Sequence, residues 1–396
     1  MKKFLLPFLL FCGCLAIRPV ASQTPYITKV IEFKPAPGQF TNELPEYEEG
    51  DTEETMRAKA EEYLADNNKN MVSLGGYGGY IVVGFDHTIV NVPGQFDFKV
   101  LGNAFYANDN PRPDAPLGGS CEPGIIMVAY DANKNGKPDD DEWYEIAGSE
   151  YHKDETLKEY SITYYRPDSN HVATPSESNK YLNDTTYIRW QDNRGNNGYI
   201  SRNTFHRQSY FPEWIDSDSI TFSGTKLANN GIDESGNGSY YVLYAYGYGY
   251  ADNHPNTDTL SNIKIDWAVD RNGNPVYLPG VDFIKIYTGV NQYNGWLGEC
   301  STEVLGVEDL HIDAEMSHVE TLEADCRAFY PNPVQHNLTV ELNREQSIEI
   351  ISTKGDVILR KNGRPGTNHI DMTSYPAGIY LLRTGHEIHK IIKSFQ

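Results

Sequence analysis

Apolar residues along this chain recur mostly at every second position. Tyr160-Ser-Ile-Thr-Tyr-Tyr165, Ile263-Lys-Ile-Asp-Trp267 and Phe283-Ile-Lys-Ile-Tyr287 alternate in this way, the pattern of strands with one buried and one wet face. The same reading predicts strands at Tyr26–Phe33, Tyr80–Phe85, Phe96–Leu101, Ile125–Tyr130, Tyr187–Trp190, Ser219–Phe222 and Tyr240–Tyr246. Clusters of Gly, Asn, Asp and Pro separate them, and Asp233–Gly238 and Asp270–Asn274 read as hairpin turns. One segment departs from the alternation. Asp51–Asp66 places Met56, Ala60, Tyr63 and Leu64 on one helical face, with Asp51 and Glu54 in a capping-box arrangement. Many strands and one helix predict an all-β chain. We expect a jelly-roll-like β-sandwich with one N-terminal helix over 23–315, a polar linker over 316–326, and a small Ig-like β-sandwich over 327–396.

Composition narrows the setting. The 396 residues carry a net charge of -22, which repels phosphate backbones and argues against a nucleic-acid partner. Lys2 and Lys3, the apolar run to Ile17 and Val20-Ala-Ser22 read as a secretory signal over 1–22, with Cys14 acylation in a lipoprotein as the alternative. No later apolar run reaches the ~18 residues that a membrane span needs, so the chain is read as not membrane-spanning. Export permits disulfides. Cys121, Cys300 and Cys326 remain after the signal, and a bridge between Cys121 and Cys300 is the expected pairing.

The run Asp131-Ala-Asn-Lys-Asn-Gly-Lys-Pro-Asp-Asp-Asp-Glu142 changes the picture most. It matches calcium-loop spacing. Oxygen side chains stand at Asp131, Asn133, Asn135 and Asp139, the Lys137 carbonyl supplies a backbone ligand, Gly136 makes the turn and Glu142 closes the site. The flanks have strand composition, so we expect a calcium-clamped connection between two strands, with the ion structural rather than catalytic. Asp86-His87 and Glu308-Asp309-Leu-His311 are read as satisfied structural histidines.

Two aromatic stretches suggest a ligand surface. Tyr244, Tyr246, Tyr248 and Tyr250 would share one face of a strand, a row of phenols suited to sugar rings or another large amphipathic ligand, with Asp252, Asn253 and His254 adding polar contacts. Tyr293 and Trp296, in a Gly-rich loop with Glu299, form a second candidate rim. Core packing is the competing reading for both. No nucleophile elbow, zinc motif or phosphate loop is present. An acid pair for glycoside cleavage is defined by separation in space, which the sequence does not display.

Two resemblances add to this. Tyr330-Pro-Asn-Pro333, Leu338-Thr-Val-Glu-Leu342, Gly355, Leu359, Tyr375-Pro-Ala-Gly-Ile-Tyr-Leu-Leu382 and Lys390-Ile-Ile-Lys393 resemble the C-terminal sorting domain of type IX secretion cargo in Bacteroidota. That resemblance implies contact with the type IX secretion machinery and a secreted or outer-surface location. Gly78–His87, Gly102–Phe105, Glu122–Val128, Asp140–Ser149 and Trp296–Glu299 resemble uncharacterised Bacteroidota cell surface proteins, some found beside outer-membrane uptake systems, including ones for cobalamin. It implies a surface ligand-binding role. The combined expectation is a secreted, calcium-stabilised, non-enzymatic β-sandwich that binds a glycan or a captured nutrient such as cobalamin. The alternatives are a polysaccharide hydrolase or lyase and a protein-binding adhesin.

Overall fold

A computed structural model describes residues 23–67, 70–107, 114–314, 326–385 and 387–394. The expected signal over 1–22 and almost all of the expected linker lie outside the described residues. Contacts divide the chain into two compact units, 1–316 and 317–396.

The first unit is built on a six-stranded antiparallel sheet. Its order is Lys29–Lys34, Tyr80–Val90, Gly280–Thr288, Gly124–Ala129, Trp143–Ile146 and Ala268–Val269. The central strands are buried on both faces, which is why Gly124-Ile-Ile-Met-Val-Ala129 reads as a continuous apolar run. Ile126, Val128, Ile284 and Ile286 enter one core with Met56, Ala60 and Leu64 of the helix. Ile125 and Tyr287 enter a second core with Tyr160, Ile162, Tyr164 and Phe222. Those four belong to a four-stranded sheet ordered Asn197–Asn203, Leu182–Asp192, Leu157–Tyr165 and Ser219–Lys226. The architecture is an all-β sandwich carrying a single α-helix, as the alternation predicts.

The helix spans Glu53–Leu64, shorter at both ends than expected. Thr52 is its N-cap and Thr55 completes the capping box, so Asp51 and Glu54 do not form it. Asp51 instead accepts hydrogen bonds from Thr55 Oγ1 at 2.9 Å and Lys59 Nζ at 2.7 Å. The helix covers the edge of the large sheet. At a bulge after Val30, the Val30 N–H donates to Glu61 at 2.9 Å and its carbonyl accepts from Arg57 at 2.6 Å. Both backbone groups are thereby satisfied and the edge is closed to further pairing.

Ile263–Trp267 is also corrected. Only Asn262–Ile263 pairs as a strand, and Ile265–Trp267 is a 3-10 turn. Asp97 explains the break. Its carboxylate accepts the Ile265 N–H at 2.7 Å, a bond that a continuing strand would give to a neighbouring strand.

The second unit is a small sandwich of its own. A three-stranded sheet (Cys326–Tyr330, Asn337–Leu342, Gly366–Asp371) and a four-stranded sheet (Val357–Gly363, Gln346–Ser352, Gly378–Thr384, Glu387–Lys393) enclose Leu338, Val340, Ile348, Ile350, Leu382 and Ile391.

Candidate functional site

A cleft of about 390 Å³ opens in the first unit, walled by the loop at Gln39 and Phe40, by Asn103, by Asn203–His206 and by Asn294–Glu303. One wall is aromatic. Tyr181 stacks on Phe205 with centroids 5.4 Å apart, and Trp296 lies 6.0 Å from Phe205 and 5.9 Å from Tyr181. Phe205 is 56% exposed, a large apolar ring presented to solvent beside polar Gln39, Asn203 and His206.

The floor is acidic. Glu122, Asp252 and Glu303 bring carboxylate oxygens within 4.8 Å of one another. Backbone pairing assembles them from distant sequence. Gly124 and Ala251 exchange hydrogen bonds at 2.9 Å, and the Glu122 N–H donates to the Asp252 carbonyl at 2.8 Å. Glu303 pairs with Ser73 in a short two-stranded ladder. Asp252 Oδ1 accepts the N–H groups of Asn103 and Ala104 at 2.8 Å, and its Oδ2 accepts that of Glu303 at 3.0 Å. A Cβ at position 102 would fall 2.4 Å from Asp252 Oδ1, so Gly102 is required for this approach. Glu122 Oε1 accepts the Ser301 N–H at 3.2 Å, and Glu303 Oε1 accepts the Ser73 hydroxyl at 3.2 Å.

Burial raises all three carboxyl pKa values, and mutual repulsion raises those of Glu122 and Glu303 further. At such spacing each ionised pair repels by about 3 kcal/mol for an effective dielectric of about 20. Among the described residues, no lysine, arginine or histidine forms an ion pair with any of the three. A fourth acid, Glu299, stands in the same cleft. Its Oε1 accepts the Gln39 N–H at 2.6 Å, its Oε2 has no partner, and burial pushes its pKa up to about 7.

Of the ligand residues expected from sequence, Trp296 lines this cleft, and Asp252 lies buried behind Glu122 and Glu303, which do line it. Tyr293, 47% exposed, borders a neighbouring cavity of about 170 Å³ together with Tyr199 and Trp190. The tyrosine run does not form a shared face. Its strand ends at Tyr244, whose hydroxyl donates to Glu234 at 2.6 Å. Tyr246 packs on buried Tyr250, and its hydroxyl donates to the Ala228 carbonyl at 2.5 Å. Tyr248 is exposed but lies against Trp267, with centroids 4.7 Å apart. Asn253 is fully buried and clamps the Tyr246 backbone through both its amide atoms. His254 is buried between the Tyr106 hydroxyl and the Gly247 carbonyl. Phe205, Glu122 and Glu303 were not singled out as ligand contacts by sequence. The one local signal was the pair of acids four residues apart, Glu299 and Glu303, in a loop that also carries Trp296.

The 131–142 loop joins the paired strands Gly124–Ala129 and Trp143–Ile146. Asp131 accepts the N–H groups of Asn135 and Gly136 at 2.9 and 2.7 Å, and Glu142 accepts those of Ala132 and Asp139 at 3.1 Å. Asn133 and Asn135 both direct their amide nitrogens to Asp139. Gly136 adopts φ +75°, which suits glycine. The expected bridge between Cys121 and Cys300 is absent. Both are free, buried thiols; Cys300 packs within the second core, and Cys121 lies near Asp252 and Glu122.

Residues 328–396 match the family described as the secretion system C-terminal sorting domain. A domain of this kind at the C-terminal end supports export of the chain as type IX secretion cargo. The sorting domain coincides with the second unit and fits an extracellular or cell-surface location. No described helix is long and apolar enough to cross a membrane. No curated protein matches the chain in sequence. Among solved structures, a biofilm-associated protein BSP domain is similar at 12% identity and a TM-score of 0.17, covering 79% of this chain and 56% of that one. A Faecalibacterium prausnitzii β-glucuronidase is similar at 9% identity and a TM-score of 0.15, covering 72% and 47%. The chain thus spans about half the length of either, and at these scores neither likeness bears on function.

Proposed function

We propose that the first unit is the passenger that the sorting domain delivers outside the cell, and that it binds a glycan in the cleft at Trp296. The observation that carries this reading is the exposed ring of Phe205, grouped with Trp296 and Tyr181 above a floor of carboxylates. Aromatic faces pack on the C–H surfaces of sugar rings, while carboxylates and amides accept and donate to the hydroxyls. A cavity of about 390 Å³ suits a short saccharide segment. A corrinoid nutrient such as cobalamin is a larger guest and would have to lie mostly outside it. Calcium at the 131–142 loop would serve stability, because the loop lies on the Trp143–Ile146 strand and none of its residues lines the cleft.

The test is binding of the secreted chain to a glycan panel in calcium. Phe205→Ala and Trp296→Ala should each weaken binding by about 10-fold or more while the unfolding transition stays in place, since each removes roughly 1–3 kcal/mol of ring contact. Undiminished binding in both variants would move the ligand elsewhere.

Glu299 supports a second reading, hydrolysis of the bound glycan. A buried carboxyl with a free Oε2 and a pKa near 7 is suited to donate a proton to a leaving oxygen. Glu122, Asp252 and Glu303 are packed too tightly to flank a glycosidic bond with room for water. On this reading cleavage is supported below about pH 7 and declines as pH rises and Glu299 loses its proton. Glu299→Gln would abolish it. A panel on which no glycan is shortened at pH 6 rejects hydrolysis and leaves binding.

A further inference from the structure

We propose that Glu122, Asp252 and Glu303 hold a divalent cation, calcium, at the floor of the cleft, in a site separate from the 131–142 loop. Three observations converge on it. The oxygens of the three side chains lie within 4.8 Å of one another, the spacing of donors around one ion. Among the described residues no cationic side chain pairs with any of them, so their charge has no protein counter-ion. The third is independent of the cluster. Glu299, only 8% exposed, and Asn294, 2% exposed, line the same cavity, and Glu299 Oε2 and Asn294 Oδ1 both lack a hydrogen-bond partner.

Unpartnered buried acceptors are costly and need either a donor or a cation to face. Protons shared within the trio would relieve its repulsion but would leave Glu299 Oε2 and Asn294 Oδ1 unanswered. An ion at the trio relieves that repulsion and places a positive charge in the cavity that both acceptors line.

The donors identify the class of ion. They are all oxygens, and neither buried thiol joins the group, which disfavours zinc and copper. Three carboxylates beside the Ser73 and Ser301 hydroxyls form an oxygen-rich, irregular surround, which calcium accepts with six to eight ligands. Magnesium demands near-octahedral geometry and sheds its water reluctantly. The backbone N–H groups aimed at Asp252 and Glu122 hold those carboxylates in place before the ion arrives. The inference stands whether or not the cleft takes a glycan, because its readout is the metal alone.

The experiment starts from the full chain carrying Asp131→Asn and Glu142→Gln, which disables the loop and leaves the trio intact. After chelation and dialysis, calcium is titrated in and bound metal is counted by elemental analysis. The proposal expects one ion per chain and a rise in melting temperature. Adding Glu303→Gln should weaken uptake about 10-fold or abolish it, since ligand charge sets calcium affinity. No calcium on the loop variant overturns the proposal. So does uptake that is unchanged by Glu303→Gln. The first arm leaves the trio untouched, so it decides the matter even if Glu303→Gln fails to fold.

Discussion

Tyr246 shows how one side chain separates two readings of the same run. A phenol at every second place suggests an exposed platform, yet Tyr246 packs on Tyr250 and donates its hydroxyl to the part-buried Ala228 carbonyl. Tyr246→Ala should therefore destabilise the first unit by about 2–4 kcal/mol through lost ring packing and an orphaned carbonyl, measured by urea unfolding. Unchanged stability with lost ligand binding would return Tyr246 to the binding surface. The sequence misled here for a local reason. Gly247 and Gly249 allow a bend that a strand would not tolerate, with Gly249 at φ +87° and only 2.5 Å from its would-be Cβ to Gly148 Cα. The acidic floor was hidden for the opposite reason. Glu122, Asp252 and Glu303 are far apart in sequence and meet only through backbone pairing, which no local pattern encodes. His87 is similar. It lies between Asp86 at 2.7 Å and Asp309 at 2.9 Å, joining two short motifs that read separately along the chain, and both carboxylates raise its pKa.

At the scale of elements, alternation was a sound guide where a strand lies between two cores or between core and solvent. Tyr160, Ile162 and Tyr164 all enter one core, and the strand runs Leu157–Tyr165. It failed at ends set by side-chain chemistry, as where Asp97 captures the Ile265 N–H. The 131–142 loop is the element whose proposed chemistry rests most directly on the sequence, because the calcium-loop spacing is contained in one continuous run. Its carboxylates Asp131 and Glu142 are occupied by backbone N–H groups, so the loop has a folded form that an ion would tighten rather than create. We expect the double variant Asp131→Asn with Glu142→Gln to melt at a lower temperature than the natural chain in calcium. In a strong chelator the gap between the two should narrow, because a ligand that binds only the folded state stabilises by mass action. An equal gap in calcium and in chelator would mean that the loop acts without an ion.

At the scale of the whole molecule, the chain joins a sorting domain to a first unit that we propose is its passenger. The sorting domain supports export through a type IX system, and it encloses a small core of its own. The first unit presents an aromatic wall and an acidic floor at one cleft, and the net charge of -22 carried by the whole chain disfavours polyanionic partners. The central claim is that this cleft takes a glycan. The most direct test is the melting temperature of the secreted chain in calcium against a panel of glycans, with cobalamin and a protein-adhesion control alongside. The account predicts a saturable upward shift with one class of glycan, lost in Trp296→Ala. No shift with any glycan, or a shift that survives Trp296→Ala, would contradict it.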